Sequence, residues 1–448
     1  KLREEIFMIE KIMKAVKSSN KRRGRNITIG AIIGFLLSCT AVMGADDNYL
    51  FIKDNDGIEF STDGNEWNNT NPYAENNWLE STETYINNTI LSADVTGVEA
   101  YGVKLELNSP NFRFINNGAI NTSSDSKNAY GIYLDNGKVE SIENNGVITG
   151  DSVTGLSAGI GIYDGGSAIQ IINNGIINNI IGPNAAGTKS GMGIIIASSS
   201  EGAKKIINIG EINSSNGGNA YAYGIRVGKE AREVVNVGNI KTFNAKGSYG
   251  IGSYNSADSA QINNLLNMGT ISSFDSSNEN YGIYSDQNGK IEKIVNTGVV
   301  YGQNNAIGIH SNGAIGDVNN YGIFATDGDI AVSNGGTIGD VNNYGMYITK
   351  KDEQIIITVD TDKSNDEPIE VVVGYDKDGN GITKSMTIRN AELNEDKTET
   401  VSFEFKGEVG KYNNSILNGK DETLKVSGKG NQITDSIINA YQTAVVME

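Results

Sequence analysis

The feature that most constrains this 448-residue chain is a seven-residue frame that recurs through its middle. Phe114-Ile-Asn-Asn-Gly-Ala-Ile120 is followed by segments of the same form at 142–148, 171–177, 206–212, 234–240, 265–271 and 294–300. Counted from the glycine, positions −4 and +2 are apolar, and position −2 is asparagine in every copy: Asn116, Asn144, Asn173, Asn208, Asn236, Asn267 and Asn296. Successive glycines stand 28, 29, 35, 28, 31 and 29 residues apart. A second motif alternates with the first, in Tyr101-Gly-Val103, Tyr130-Gly-Ile132, Ile160-Gly-Ile162, Met192-Gly-Ile194, Tyr223-Gly-Ile225, Tyr249-Gly-Ile251, Tyr281-Gly-Ile283 and Ile307-Gly-Ile309. Two later copies, 316–323 and 339–346, fuse the motifs as Gly-Asp-Val-Asn-Asn-Tyr-Gly-Φ.

A pattern repeating at every second residue is that of a strand, and no 3.6-residue apolar stripe follows residue 45. A strand-rich unit of about 30 residues cannot bury its own apolar face, so it must stack on copies of itself. The expected fold is all-β: a right-handed parallel β-helix, or β-solenoid, in which the −4 and +2 residues of successive coils form a continuous apolar stack. The asparagine at −2 shares that inward face. A buried amide is costly unless paired, and an amide above another can donate and accept along a ladder. The glycine is expected to permit a bend that a side chain would obstruct. All four prolines, Pro72, Pro110, Pro183 and Pro368, fall outside the motifs, as central strands that need every N–H require.

The organisation follows from where the frame begins and ends. Residues 1–45 read as a leader, with basic Lys11 to Arg25 running into the uncharged Ile27 to Gly44, so cleavage is expected near Ala45 and translation from Met8. Cys39, after Leu36-Leu37-Ser38, offers lipidation as an alternative. Residues 46–97 hold both tryptophans, Trp67 and Trp78, lack the frame, and are expected to cap it. Repeats fill 98–349. Acidic, strand-like sequence at 350–410 reads as an inserted sheet or irregular coils, and 411–448 as a resumed solenoid, broken off by truncation.

Composition excludes several kinds of chemistry. One histidine and one cysteine cannot build a zinc, haem or disulfide framework. Removing the leader leaves 27 basic against 51 acidic residues, a net charge of −24, which does not favour nucleic acid. Asp376, Asp378 and Asn380 resemble the opening of a calcium loop, but position 12 falls on Thr387, and a hairpin turn between flanking strands accounts for them. Two residues past the second motif's glycine lies a slot filled by Tyr133, Tyr163, Tyr284, His310, Phe324 and Tyr347, and interrupted by Ile195, Arg226 and Gly252. These aromatics are the candidate surface row, whether stacking on sugars, anchoring protein partners, or packing under loops. No catalytic residue and no cofactor is expected; three or more carboxylates meeting in one groove would favour a polysaccharide-acting β-helical enzyme instead.

The basic leader before Ile27 to Ala45, the cysteine-free acidic body and the recurring Ile-Asn-Asn-Gly and Tyr-Gly-Ile units resemble the passenger of a Gram-negative type V autotransporter, over roughly residues 8–448. The resemblance implies export by the Sec machinery through the periplasm, passage through an outer-membrane translocator, and display or secretion of a β-helical, adhesin-like virulence factor. It also implies contact with a host-cell or bacterial surface protein or glycan, and no stable membrane span in the mature passenger. Members of that family end in a translocating β-barrel. None is legible before Glu448, so a fragment is expected.

Overall fold

Each copy of the frame supplies two strands, one ending at the asparagine and one starting after the glycine, and the tyrosine-glycine motif supplies a third. Lys138–Asn144, Val147–Ser152 and Ser157–Tyr163 make one such set. The computed structural model describes residues 49–447 apart from 55–56, 182–189, 218–219, 256–258, 352–353, 360–367, 376–380, 392–402, 407–410, 421 and 428–430. Met8, Cys39, Ala45, Asp376, Asp378 and Asn380 therefore lie outside the described residues. Among the described residues no helix is long and apolar enough to cross a membrane.

Corresponding strands of successive coils pair in parallel and build three long sheets of 11, 12 and 11 strands, the architecture of a parallel β-helix. We call them the tyrosine sheet, the asparagine sheet and the third sheet. In the asparagine sheet Phe114, Ile142, Ile171, Ile206, Val234, Leu265, Ile294 and Val318 stand in register. Ile120 to Val300 at +2 form the matching column of the third sheet, and Val103 to Ile307 that of the tyrosine sheet. All three columns are buried in one continuous core.

The asparagines form an unbroken ladder beside that core. From Asn87 through Asn116, Asn144, Asn173, Asn208, Asn236, Asn267, Asn296 and Asn320 to Asn343, each Nδ2 donates to the next Oδ1 at 2.7–2.8 Å. Most interior rungs also donate to the carbonyl two residues on, as Asn173 does to Gly175 at 3.3 Å. Each rung's main-chain oxygen accepts two amides of the next coil, Asn174 and Gly175 on Asn144 being one case, at 2.7 and 2.9 Å. The ends differ. At the first rung Thr89 Oγ1 donates to Asn87 Oδ1 at 2.9 Å, whereas Nδ2 of Asn343 is buried with no hydrogen-bond partner.

The frame glycine acts by closeness rather than by an unusual dihedral, since none of the seven has positive φ. A Cβ on Gly146, Gly175, Gly210, Gly238, Gly269 or Gly298 would overlap the carbonyl oxygen of the glycine one coil below. The second motif's glycine makes room for a side chain as well as for backbone: a Cβ on Gly131, Gly193, Gly224 or Gly250 would overlap Cγ2 of Ile148, Ile212, Ile240 or Ile271, and would also come within 2.5–2.6 Å of a carbonyl oxygen of the next coil. The two motifs thus interlock, the +2 isoleucine of one filling the space left by the glycine of the other.

Both ends depart from the expected boundaries. Thr84–Asn87 and Ile90–Val95 already pair in parallel with the next coil, as does Leu50–Asp54, so the segment 46–97 contains a coil as well as its closure. Its frame, Tyr85-Ile-Asn-Asn-Thr-Ile-Leu91, is disguised in the sequence because Thr89 replaces glycine. The first coil tolerates a side chain there because, among the described residues, no coil lies beneath it. Trp78 closes the core's end against Phe60 and Phe112, with centroids at 5.6 and 6.1 Å. At the other end the third sheet finishes in an antiparallel strand, Gln354–Val359.

Beyond it the chain does not lengthen the first stack; it builds a second, narrower one. Ile416 pairs with Ile437, Leu424 with Val445 and Tyr412 with Ile433, each pair 21 residues apart. Asn390, Asn418 and Asn439 make a second amide ladder, and Asn390 and Asn418 also donate to the main-chain oxygens of Tyr344 and Tyr321 on the side of the first stack, at 2.9 and 2.7 Å.

Two measurements check this account. Asn208→Leu leaves a donor on Asn173 and an acceptor on Asn236 unmatched, and is expected to cost at least about 2 kcal/mol in urea unfolding, with Asn343→Leu costing less than half as much. Gly193→Ala and Ile212→Ala contend for one space, so the double variant is expected to fall short of the summed single losses by roughly 0.5–3 kcal/mol.

Candidate functional site

The six aromatics of the candidate row do not form one row. Pairing places Tyr133, Gly161, Ile195, Arg226, Gly252, Tyr284 and Gly308 opposite one another on the outer face of the tyrosine sheet. Tyr163 and His310 lie two residues further along, beside Asp135 and Asn334. In those two coils the true counterparts of Tyr130-Gly-Ile132 are Ala158-Gly-Ile160 and Asn305-Ala-Ile307. A slip of two residues keeps every side chain on the same face of a strand, so alternation alone could not detect it. Phe324 and Tyr347 belong elsewhere: they continue the +2 column of the third sheet above Val300, with Phe324 fully buried in the core.

What stands on that outer face is a double wall of rings. Tyr101, Tyr130, Tyr133 and Tyr163 form one cluster, with centroids 4.7–5.5 Å apart. Tyr223, Tyr249, Tyr281, Tyr284 and His310 form another, the closest pair being Tyr249 and Tyr284 at 4.2 Å. Tyr249 and Tyr284 are 2% and 3% exposed, so these rings pack on one another instead of presenting free faces. The glycine interruptions have a reason: rings of Tyr163 and Tyr281 lie over Gly161 and Gly308, where a Cβ would come within 2.6 and 2.5 Å.

The hydroxyls are tied to flanking acids. Tyr249 donates to Glu279 at 2.6 Å, Tyr284 to Asp286 at 2.7 Å and Tyr133 to Asp164 at 3.3 Å. His310, the chain's single histidine, bonds Tyr281 through Nε2 at 3.0 Å and lies 3.6 Å from Glu279 through Nδ1. Burial pushes the phenols of Tyr249 and Tyr284 far above their usual range, and that of Tyr281 to about 12, with the Glu279 charge adding to it. Neutral phenols donate hydrogen bonds, and here those bonds tie the edge of the wall to Glu279 and Asp286.

A groove runs beside the wall at its N-terminal end. The tight corners Asn136-Gly137 and Asp164-Gly165, left-handed at both residues, turn the chain from the tyrosine sheet into the asparagine sheet. They help frame a hollow of about 610 Å³ lined by Asp54, Glu106, Asp135, Lys138 and Glu201. Sequence alone does not show this gathering, because Asp54, Glu106 and Asp135 end strands of different coils and only the stacking of those coils brings them together. Lysines sit between them: Lys104 bonds Glu106 and reaches Asp135 at 3.1 Å, and Lys138 reaches Glu201 at 3.1 Å. Among the described residues no three His, Cys, Asp or Glu side chains are placed to hold a metal.

Comparison with protein-family profiles, with curated proteins and with solved structures returns no match.

The buried phenols also set an alkaline limit. In the unfolded chain they ionise near 10, and in the folded wall only at about 12 or higher, so folding stability is intact below pH 10 and falls as pH rises above it. In a titration of phenolate absorbance the wall's share is expected to rise late and together with loss of the β circular-dichroism signal, and ionisation of all 20 tyrosines near pH 10 with that signal intact would contradict the burial.

Proposed function

We propose that the chain is a non-enzymatic, surface-displayed β-helical passenger of the autotransporter kind, an adhesin-like stalk whose lateral face contacts a host-cell or bacterial surface ligand. One observation supports this most: ten ladder rungs, stacked at about 4.8 Å each, give a rod of roughly 45 Å. That rod needs no disulfide, and the sequence beyond residue 45 has no cysteine to be oxidised during export. The repeated frame, the basic leader and the acidic body add the resemblance.

A second reading, a polysaccharide-acting β-helical enzyme, is favoured by the carboxylate-lined groove. Lysines paired with three of its four acids speak for a binding surface over an acid–base pair. The test is display. Joined to a translocating barrel in a Gram-negative host, residues 8–448 are expected to become accessible to external protease and to raise adherence to host cells above that of the barrel alone. Retention inside the cell, or unchanged adherence, would sink the proposal. Mass spectrometry of the displayed N-terminus is expected to show cleavage near Ala45, and acylated Cys39 would identify the lipid-anchored variant.

A further inference from the structure

The tyrosine wall opens at its first ring. Tyr101 is half-buried, unlike Tyr130 and Tyr133 above it, and a loop of the first coil stands beside it. That loop is held firmly. Asp63 Oδ1 accepts the amides of Asn65 and Glu66 at 2.8 and 3.0 Å, Ser61 Oγ accepts that of Gly64 at 2.9 Å, and the Trp67 indole donates to Gly64 O at 3.2 Å. Gly64 is left-handed, with φ of 77°, and rests on the Phe51 ring, where a Cβ would come within 2.8 Å. Trp67 and Tyr101 thereby become walls of a cavity of about 210 Å³, with Lys104 and Glu106 among its lining.

Glu106 also lines the larger hollow, so the two adjoin. Asp54, Glu106 and Asp135 come from successive coils, so the carboxylates of the larger hollow are stepped along the helix axis by about 4.8 Å, close to the length of one pyranose unit. Aromatic planes suit the apolar faces of sugars, and carboxylates and amides suit their hydroxyls and amines. Charge narrows the class further. Four carboxylates against Lys104 and Lys138 leave the lining net negative, and the Trp67 ring already draws an ammonium, Lys53 Nζ lying 4.1 Å from its centroid.

We propose that this groove binds a cationic amino-sugar oligosaccharide, stacked on Trp67 and Tyr101, with its amines taking the place of the Lys104 ammonium at Glu106 and Asp135. The assignment rests on the reading of the chain as a lateral-face binder and names the ligand class for that face. It is tested on the purified chain with the glucosamine tetramer, the N-acetylglucosamine tetramer and the galacturonate tetramer as probes. Saturable change in tryptophan emission is expected with the glucosamine tetramer, at least tenfold tighter than with either other probe. Absence of saturation, or a smaller preference, overturns the proposal. By calorimetry, Trp67→Ala and the double variant Glu106→Gln/Asp135→Asn are each expected to weaken binding at least tenfold with an unchanged circular-dichroism spectrum. Unchanged affinity in both overturns the location. Because the measurement needs no cell surface, failed display would leave a positive result standing, and failed binding would leave the display result standing.

Discussion

Everything in this molecule depends on the pairing of one buried amide with the next. An asparagine in an apolar core is a liability of about 1–3 kcal/mol for each unmet group, and here nearly every such group is met by an identical residue one coil away. The interaction requires successive coils to hold one register and the rungs to sit about 4.8 Å apart. It also forces the frame glycine, because the chain turns immediately after each rung and its backbone there lies against the turn below. The isoleucine columns contribute most of the buried apolar surface, but hydrophobic contact is non-directional, so register is set chiefly by the amides.

The second glycine couples the two motifs across the core. Because Gly193 leaves room for Ile212, and Gly224 for Ile240, the tyrosine sheet and the third sheet approach more closely than two side-chain layers would permit. The outer face records the same economy in reverse, where glycines in the tyrosine sheet lie under neighbouring rings. The wall is therefore a consequence of the coil's geometry as much as a surface feature, and its first ring, Tyr101, stands half-buried beside the Trp67 loop.

The stack is legible in the sequence because its determinants are local and periodic: Φ-x-Asn-x-Gly-x-Φ names the core columns, the ladder and the corner in seven residues. What stays hidden is whatever breaks the period or arises between coils. Thr89 hides the first rung, a two-residue slip hides the true partners of Tyr163 and His310, and a coil of 21 residues hides the second stack. The aromatic row is misleading for a related reason. Alternation tells which face a side chain occupies, but not whether neighbours cover it, and Tyr249 and Tyr284 are covered by each other. The acidic groove lies beyond reach because Asp54, Glu106 and Asp135 are strangers in sequence and meet only where successive coils stack.

The ladder also has a direction. Each interior rung of the first stack gives a hydrogen toward the C-terminal end, Thr89 supplies the hydrogen that the first rung would otherwise lack, and Asn343 is left with an idle donor. A chain built this way can gain or lose length only in whole coils, as a crystal gains layers. Residues added between strands, such as those that stretch one interval to 35, leave the register of the flanking strands untouched, whereas a single residue added within a strand would misalign every layer that follows. Duplication of one coil is thus the mutation this architecture absorbs most readily, and the spread of rung intervals from 23 to 35 reads as the record of loops drifting around an axis that could not.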